Sequence, residues 1–269
     1  MEILALNMRR RVGLLAAALL IPALAACGSD ATDGSGDAKK EAAIPADPKQ
    51  ALIEATKVLE SGDFRYTLTG DQVKGEGAVH MPSNSAHISM TIGDAAQGFA
   101  MEMEYIFIGE EGWIRLDIQG LGADANPTAG KFHHVDTKKV PDSSSMILKK
   151  GEADPVGSKA LMNSIVEVQK TGEGAYSGTI DVTKAGEMQL VDKDTIEALG
   201  DQATKLPFTA KIDDQGRLVE FGMQMPAAGD LPAQDMKMVY SDFGSVTGIQ
   251  APPAADVVEA DEEFYQKLA

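Results

Sequence analysis

The chain has 269 residues and carries 24 Lys and Arg against 41 Asp and Glu, a formal net charge of −17. That balance excludes a nucleic-acid partner, because no basic face is supplied to neutralise phosphates. It also sets the protein body against anionic headgroups, so surface charge is not what would hold it to a membrane.

Residues 1–26 are read as a lipoprotein signal peptide. Arg9, Arg10 and Arg11 precede the apolar run 12–24, the charge-then-apolar layout of an export signal. The run contains Pro22 and is too short for the roughly 20 residues of a spanning helix. Leu24-Ala25-Ala26-Cys27 then matches a lipobox, in which the Cys27 thiol takes a diacylglyceryl group and becomes the first residue of the mature protein. Two or more acyl chains hold a protein stably where one holds it marginally. The expected localisation is the outer face of the cell membrane, with the membrane as partner through that anchor. Losing three Arg and one Glu with the signal moves the net charge from −17 to −19. Cys27 is the sole cysteine, so no disulfide supports the fold.

Residues 27–46 form a disordered tether of Gly, Ser, Asp, Ala, Thr and Lys, too poor in apolar groups to offset the entropy of ordering. Its span is about 24 Å by the flexible-chain relation. It reads equally well as a reach toward the membrane and as a plain spacer. Residues 47–269 are one domain, with no composition break to divide them.

Asp47-Pro48 is an N-cap with proline at the first helical position, and Gln50 is placed for a capping box. Ala51, Leu52, Ala55, Val58 and Leu59 share one face of a single helix that Gly62 ends. The period then changes from 3.6 to 2. Strands are predicted at 64–69, 78–81, 88–92, 99–107 and 114–118, separated by Gly, Asp, Asn and Pro turns, with a short strand at 131–136. From 140 to 170 the spacing reads as helical again, with Asp154-Pro155 as a cap and Leu161, Ile165 and Val168 on one side. A strand at 176–182 follows, then a helix over 194–203 capped by Asp192 or Asp194. Strands at 208–212, 218–225 and 236–243 come next, the first two joined by a hairpin with Gly216 in the position that favours positive φ. Pro252-Pro253 stops the sheet before an acidic, helix-compatible end.

The expected class is α+β: a strongly curved antiparallel sheet, an open half-barrel of about ten or eleven strands, with helices on its concave face. Its inward face is rich in methionine. Met90, Met101, Met103, Met223, Met225, Met236 and Met238 alternate in strands with Ile92, Tyr105, Phe107, Phe221 and Tyr240. Methionine is unbranched and polarizable, so a face built from it adapts to irregular apolar shapes. Two readings stand: the helices cover the face and methionine fills gaps, or these twelve residues line a concave apolar site for an acyl chain.

Gly75-Glu76-Gly77-Ala78-Val79, Trp113-Ile114-Arg115-Leu116, the run 176–182, IDDQGRLVEFGMQM at 212–225, MVYSDFG at 238–244 and APPAADV at 251–257 are strand and turn patterns behind a lipobox. In this order they resemble the actinobacterial LppX/LprG-type lipoproteins, whose fold is similar to the LolA and LolB carriers. The resemblance implies a half-barrel plugged by helices and a cavity for lipid or lipoglycan acyl chains, for transport or presentation. It supplies no residue-specific contacts. The alternative is a signalling or scaffold lipoprotein with a membrane-protein partner.

Reactive chemistry is not expected. His80 and His87 are placed to face each other across a hairpin, and His133 and His134 to point to opposite faces of a strand. Neither pair reaches the three or four ligands of a zinc site. Ser143-Ser144-Ser145 has no nucleophile-elbow context. Trp113 fits a cavity rim or a cross-strand pair. The reading is a protein that is not an enzyme and has no cofactor.

Overall fold

The computed structural model describes residues 44–94, 98–119, 128, 130–140, 157–184, 191, 193–229 and 232–268. The expected signal peptide, Cys27, nearly all of the expected tether, the Ser143-Ser144-Ser145 run and the caps proposed at Asp154-Pro155 and Asp192 lie outside these residues.

Order starts where the cap signal places it. The Gln50 N–H donates to Asp47 Oδ1 at 2.8 Å, and Pro48 opens α1 (Pro48–Ala55). The single helix expected here is two, because Thr56 interrupts it before α2 (Lys57–Glu60). The Thr56 hydroxyl donates to the Ile53 carbonyl at 2.8 Å, a local bond that competes with the helix ladder. Ala51, Leu52, Ala55 and Leu59 are buried, as their spacing requires.

Five antiparallel strands follow: β1 (Asp63–Gly70), β2 (Val73–His80), β3 (Ser85–Asp94), β4 (Phe99–Ile108) and β5 (Glu111–Gln119). The β2–β3 turn holds Asn84 at φ 47°, a left-handed position where Asn is favoured among non-glycine residues. Next is β6 (Phe132–Asp136). Helix α3 (Ser158–Asn163) carries Leu161 and Met162 into the core.

Residues 165–172 correct the helical reading of 140–170: they form β7 (Ile165–Gly172), paired with β8 (Ala175–Ile180). The reason is a bulge. The register slips between Ile165 and Glu167, so Ile165 opposes Ile180 and Val168 opposes Gly178. One extra residue in a strand gives two apolar side chains three apart the same facing, which imitates helical spacing.

Helix α4 (Lys193–Leu199) precedes β9 (Leu206–Ile212), β10 (Leu218–Met225) and β11 (Gln234–Ser241). Gly216 has φ 76° in the β9–β10 hairpin, as expected. Beyond Pro252-Pro253 the sheet resumes in β12 (Val257–Glu259), which pairs parallel to β6, and α5 (Glu262–Lys267) follows with Asp261 as its cap.

The result is a mixed α+β structure with one twelve-stranded, mostly antiparallel sheet in the order β12-β6-β5-β4-β3-β2-β1-β11-β10-β9-β8-β7. Its edges, β12 and β7, do not pair with each other. One face carries charge: Glu104 binds both His87 and Arg115, and Glu220 lies between Lys211 and Lys237. The opposite face is apolar and carries the core in two clusters. The larger joins α1 to α4 with β1, Val79 of β2 and β7–β11; the smaller joins β3–β6 with Ala260, Phe264, Tyr265 and Leu268.

Candidate functional site

The twelve methionine-face residues do not converge on one place. Phe221, Met223, Met236, Met238 and Tyr240 are buried in the larger cluster, Met223 and Met238 at 1 % exposure, with Met225 packed against it. On this half of the sheet methionine is core. Met103, Tyr105 and Phe107 are buried in the smaller cluster, and Met90, Ile92 and Met101 are half-buried against it. The Tyr105 hydroxyl donates to Met103 Sδ at 3.0 Å, and burial pushes its pKa up to about 12.

Burial on this half is graded along the strands. On β4, Phe99 is 50 % exposed and Met101 half-buried, while Met103, Tyr105 and Phe107 are buried. On β5, Ile118 and Leu116 are half-buried and Ile114 is buried. On β3, Ile92, Met90 and Ile88 are half-buried and Ala86 is buried; on β1, Leu68 is half-buried while Tyr66 and Phe64 are buried. Antiparallel registers bring the open ends together: Ile92 opposes Met101, and Met101 opposes Ile118. The apolar face is closed at the end of Phe64 and Phe107 and open at the end of Ile92 and Phe99.

The boundary between the two clusters runs along β2, which presents Val73, Gly75, Gly77 and Val79 to this face. Gly75 stands between Leu68 of the larger cluster and Met90 of the smaller, and Gly77 between Tyr66 and Ile88. With no side chain at Gly75, this face of β2 has a shallow trough there, next to the side chain of Val73. Gly75 is half-buried. A β-carbon there would lie 2.9 Å from the Ser89 carbonyl oxygen and 3.6 Å from Met90 Cγ, so backbone and a flexible thioether chain of β3 stand beside it. The trough differs at Gly77, where the Tyr66 ring lies across the glycine.

The C-terminal segment covers the far side of the smaller cluster. Phe264 stacks on His133 with centroids 4.0 Å apart, Leu268 is buried, and the Asp136 N–H donates to the Tyr265 hydroxyl at 2.8 Å. His134 points to the other face, as adjacency predicts. There it stacks on Trp113 at 5.4 Å and bonds Glu111 and Glu259. Trp113 is therefore the cross-strand partner of His134, not a cavity rim. His80 and His87 do not bond each other, since His80 Nδ1 is 2.5 Å from Ser83 Oγ and His87 Nε2 is 2.8 Å from Glu104.

A separate cleft of about 670 Å³ lies between α1 and the β9–β10 hairpin, lined in part by Ile44, Glu54 and Arg217. Its charges are engaged within the fold: Glu54 pairs with Lys57 at 2.6 Å, and Arg217 binds Asp213 while its guanidinium lies 4.6 Å over Phe243. Among the described residues no group of three or more His, Cys, Asp or Glu is arranged to hold a metal ion.

Sequence reasoning missed the trough floor and the walls Leu68, Val73 and Ile88. The signal was in the chain: two glycines, i and i+2, fall on the apolar phase of a strand bounded by Val73 and Val79. Compared with known families and curated proteins, the chain matches no family model and no curated sequence.

Proposed function

We propose that this protein is an extracytoplasmic lipoprotein, anchored through Cys27 on the outer face of the cell membrane, that holds a lipid acyl chain for transport or presentation. The chain lies in the trough over Gly75, between Leu68 and Met90, and enters at the end of Ile92 and Met101. On this reading the sheet is a curved half-barrel of the LppX/LprG type, similar to the LolA and LolB carriers. No bond is made or broken, and no cofactor takes part.

The observation that carries the reading is the coincidence of the glycine floor with the burial gradient. Half-buried apolar side chains on β1, β3, β4 and β5 lie around Gly75, the one position of this face of β2 that neither carries a side chain nor lies under the Tyr66 ring. Sequestering methylene groups there is favourable by about 0.8 kcal/mol each. Lipid extraction and native mass spectrometry of protein purified from its own host test the proposal. A stoichiometric acyl lipid is expected; apo protein that takes up no lipid from vesicles overturns it.

One observation favours a second reading. The β8–β11 half of the methionine face is filled by the protein's own helices, as in a signalling or scaffold module that binds a membrane-protein partner. Apo protein in the same experiment, with a partner recovered by cross-linking in intact cells, supports that reading instead.

A further inference from the structure

We infer that the C-terminal segment 257–268 is a pH-set strap: His134 in its imidazolium form fastens it over the smaller apolar cluster, and loss of that proton lets it open. The inference stands apart from the acyl reading.

The fastening follows from the donors each group can offer. Both ring nitrogens of His134 face carboxylates, Nε2 that of Glu111 on β5 and Nδ1 that of Glu259 on β12, the latter at 3.1 Å. A carboxylate only accepts, so the two contacts are satisfied together only when both nitrogens carry protons. A neutral ring turns a lone pair toward one of them. Glu259 is the one that leaves, because its side chain is 84 % exposed and it ends a strand of three residues. The other charges around the ring are engaged: Glu110 with Lys138, Asp136 with the Lys138 N–H, Arg115 with Glu104, and Lys131 with Asp256. On the opposite face of β6, His133 is a second titratable group against the strap, stacked on Phe264 and bonded to Thr128.

The strap is small enough to open as a unit. Helix α5 has six residues, too few to persist as an isolated helix once β12 leaves β6. Further attachments are Lys131 Nζ to the Ala255 carbonyl at 2.8 Å, the Ala260 N–H to the His134 carbonyl at 3.0 Å, and the Asp136 N–H to the Tyr265 hydroxyl. Segments held by so few bonds open well below the free energy of global unfolding. Opening lifts Phe264 and the buried Leu268 from the smaller cluster. Burial lowers the His134 pKa, but the two carboxylates outweigh it and raise it above 6.5. Closure is therefore stabilised fully below the ordinary value of the ring and weakens as pH climbs through the raised one.

Trp113, the one tryptophan of the chain, stacks on His134 at 5.4 Å between centroids. It reports the charge on that ring, since an imidazolium in contact quenches indole emission more than a neutral imidazole does. Hydrogen exchange of the full chain reports the strap. From about pH 6 to about pH 9, emission should rise in one step. Over the same step the protection of 257–268, corrected for intrinsic exchange, should fall about fivefold, the size of an exposed ion-pair cluster, while β9–β11 is unchanged. Glu259→Gln, whose amide can donate to a neutral ring, should keep the emission step and lose the change in protection. His134→Gln should show the lower protection at both pH values. Protection that stays level across the emission step, a change in protection that survives in His134→Gln and so belongs to His133, or emission without a step overturns the strap.

Discussion

The ring of Tyr66 takes the place of a side chain on Gly77, its partner across the β1–β2 ladder. A methyl group at 77 overlaps that ring, and the ring has Phe64 behind it. Gly77→Ala should therefore destabilise by about 1–3 kcal/mol, the range for overpacking a core, although alanine suits a strand better than glycine. Urea unfolding measures this, and an unchanged midpoint would show that the ring does not rest on Gly77.

The methionines should divide by position. Met238→Ala, at a site 1 % exposed under the helices, should cost about 2–5 kcal/mol. Met101→Ala, half-buried at the open end, should cost under about 1 kcal/mol. Lipid uptake should respond in the opposite order: Met90→Asp and Ile92→Asp, at the trough wall and mouth, should abolish it while leaving the fold intact by circular dichroism.

His134 fastens β12 to the sheet between Glu111 and Glu259. Burial lowers its pKa, but bonds to the two carboxylates outweigh that and raise it above the ordinary 6.5. A group whose pKa rises on folding stabilises fully below its unfolded value, and the contribution fades as pH climbs through the folded value. His134→Gln should therefore lower stability at about pH 6, by no more than about 1 kcal/mol for so exposed a cluster, and should match the unmutated protein near pH 9. Urea midpoints of the two proteins at both pH values give the sign directly.

The anchor is tested apart from the fold. Cys27→Ser should abolish incorporation of labelled palmitate and release the protein from the membrane fraction, with an unchanged thermal transition. Retention of label in that variant would remove the lipobox reading.

The strands around Leu68, Met101 and Met238 were legible because alternation is a local property, and the cap at Asp47-Pro48 because both residues act on the turn beside them. The strand at 165–172 was not legible, because a bulge copies the spacing of a helix and only the ladder with β8 distinguishes them. The strand at 257–259 was hidden for a different reason. Three residues carry almost no periodic signal, and its partner β6 lies more than a hundred residues earlier.

The sequence by itself determined a sheet-rich α+β domain and an apolar face heavy in methionine, since each follows from the order of neighbouring residues. Only the tertiary structure decided which methionines are core and which border a trough. Phase along a strand says which face a side chain takes. What covers that face is set by helices and by a C-terminal segment remote in the chain, and the trough lies at Gly75 of β2, between Leu68 beside one cluster and Met90 beside the other.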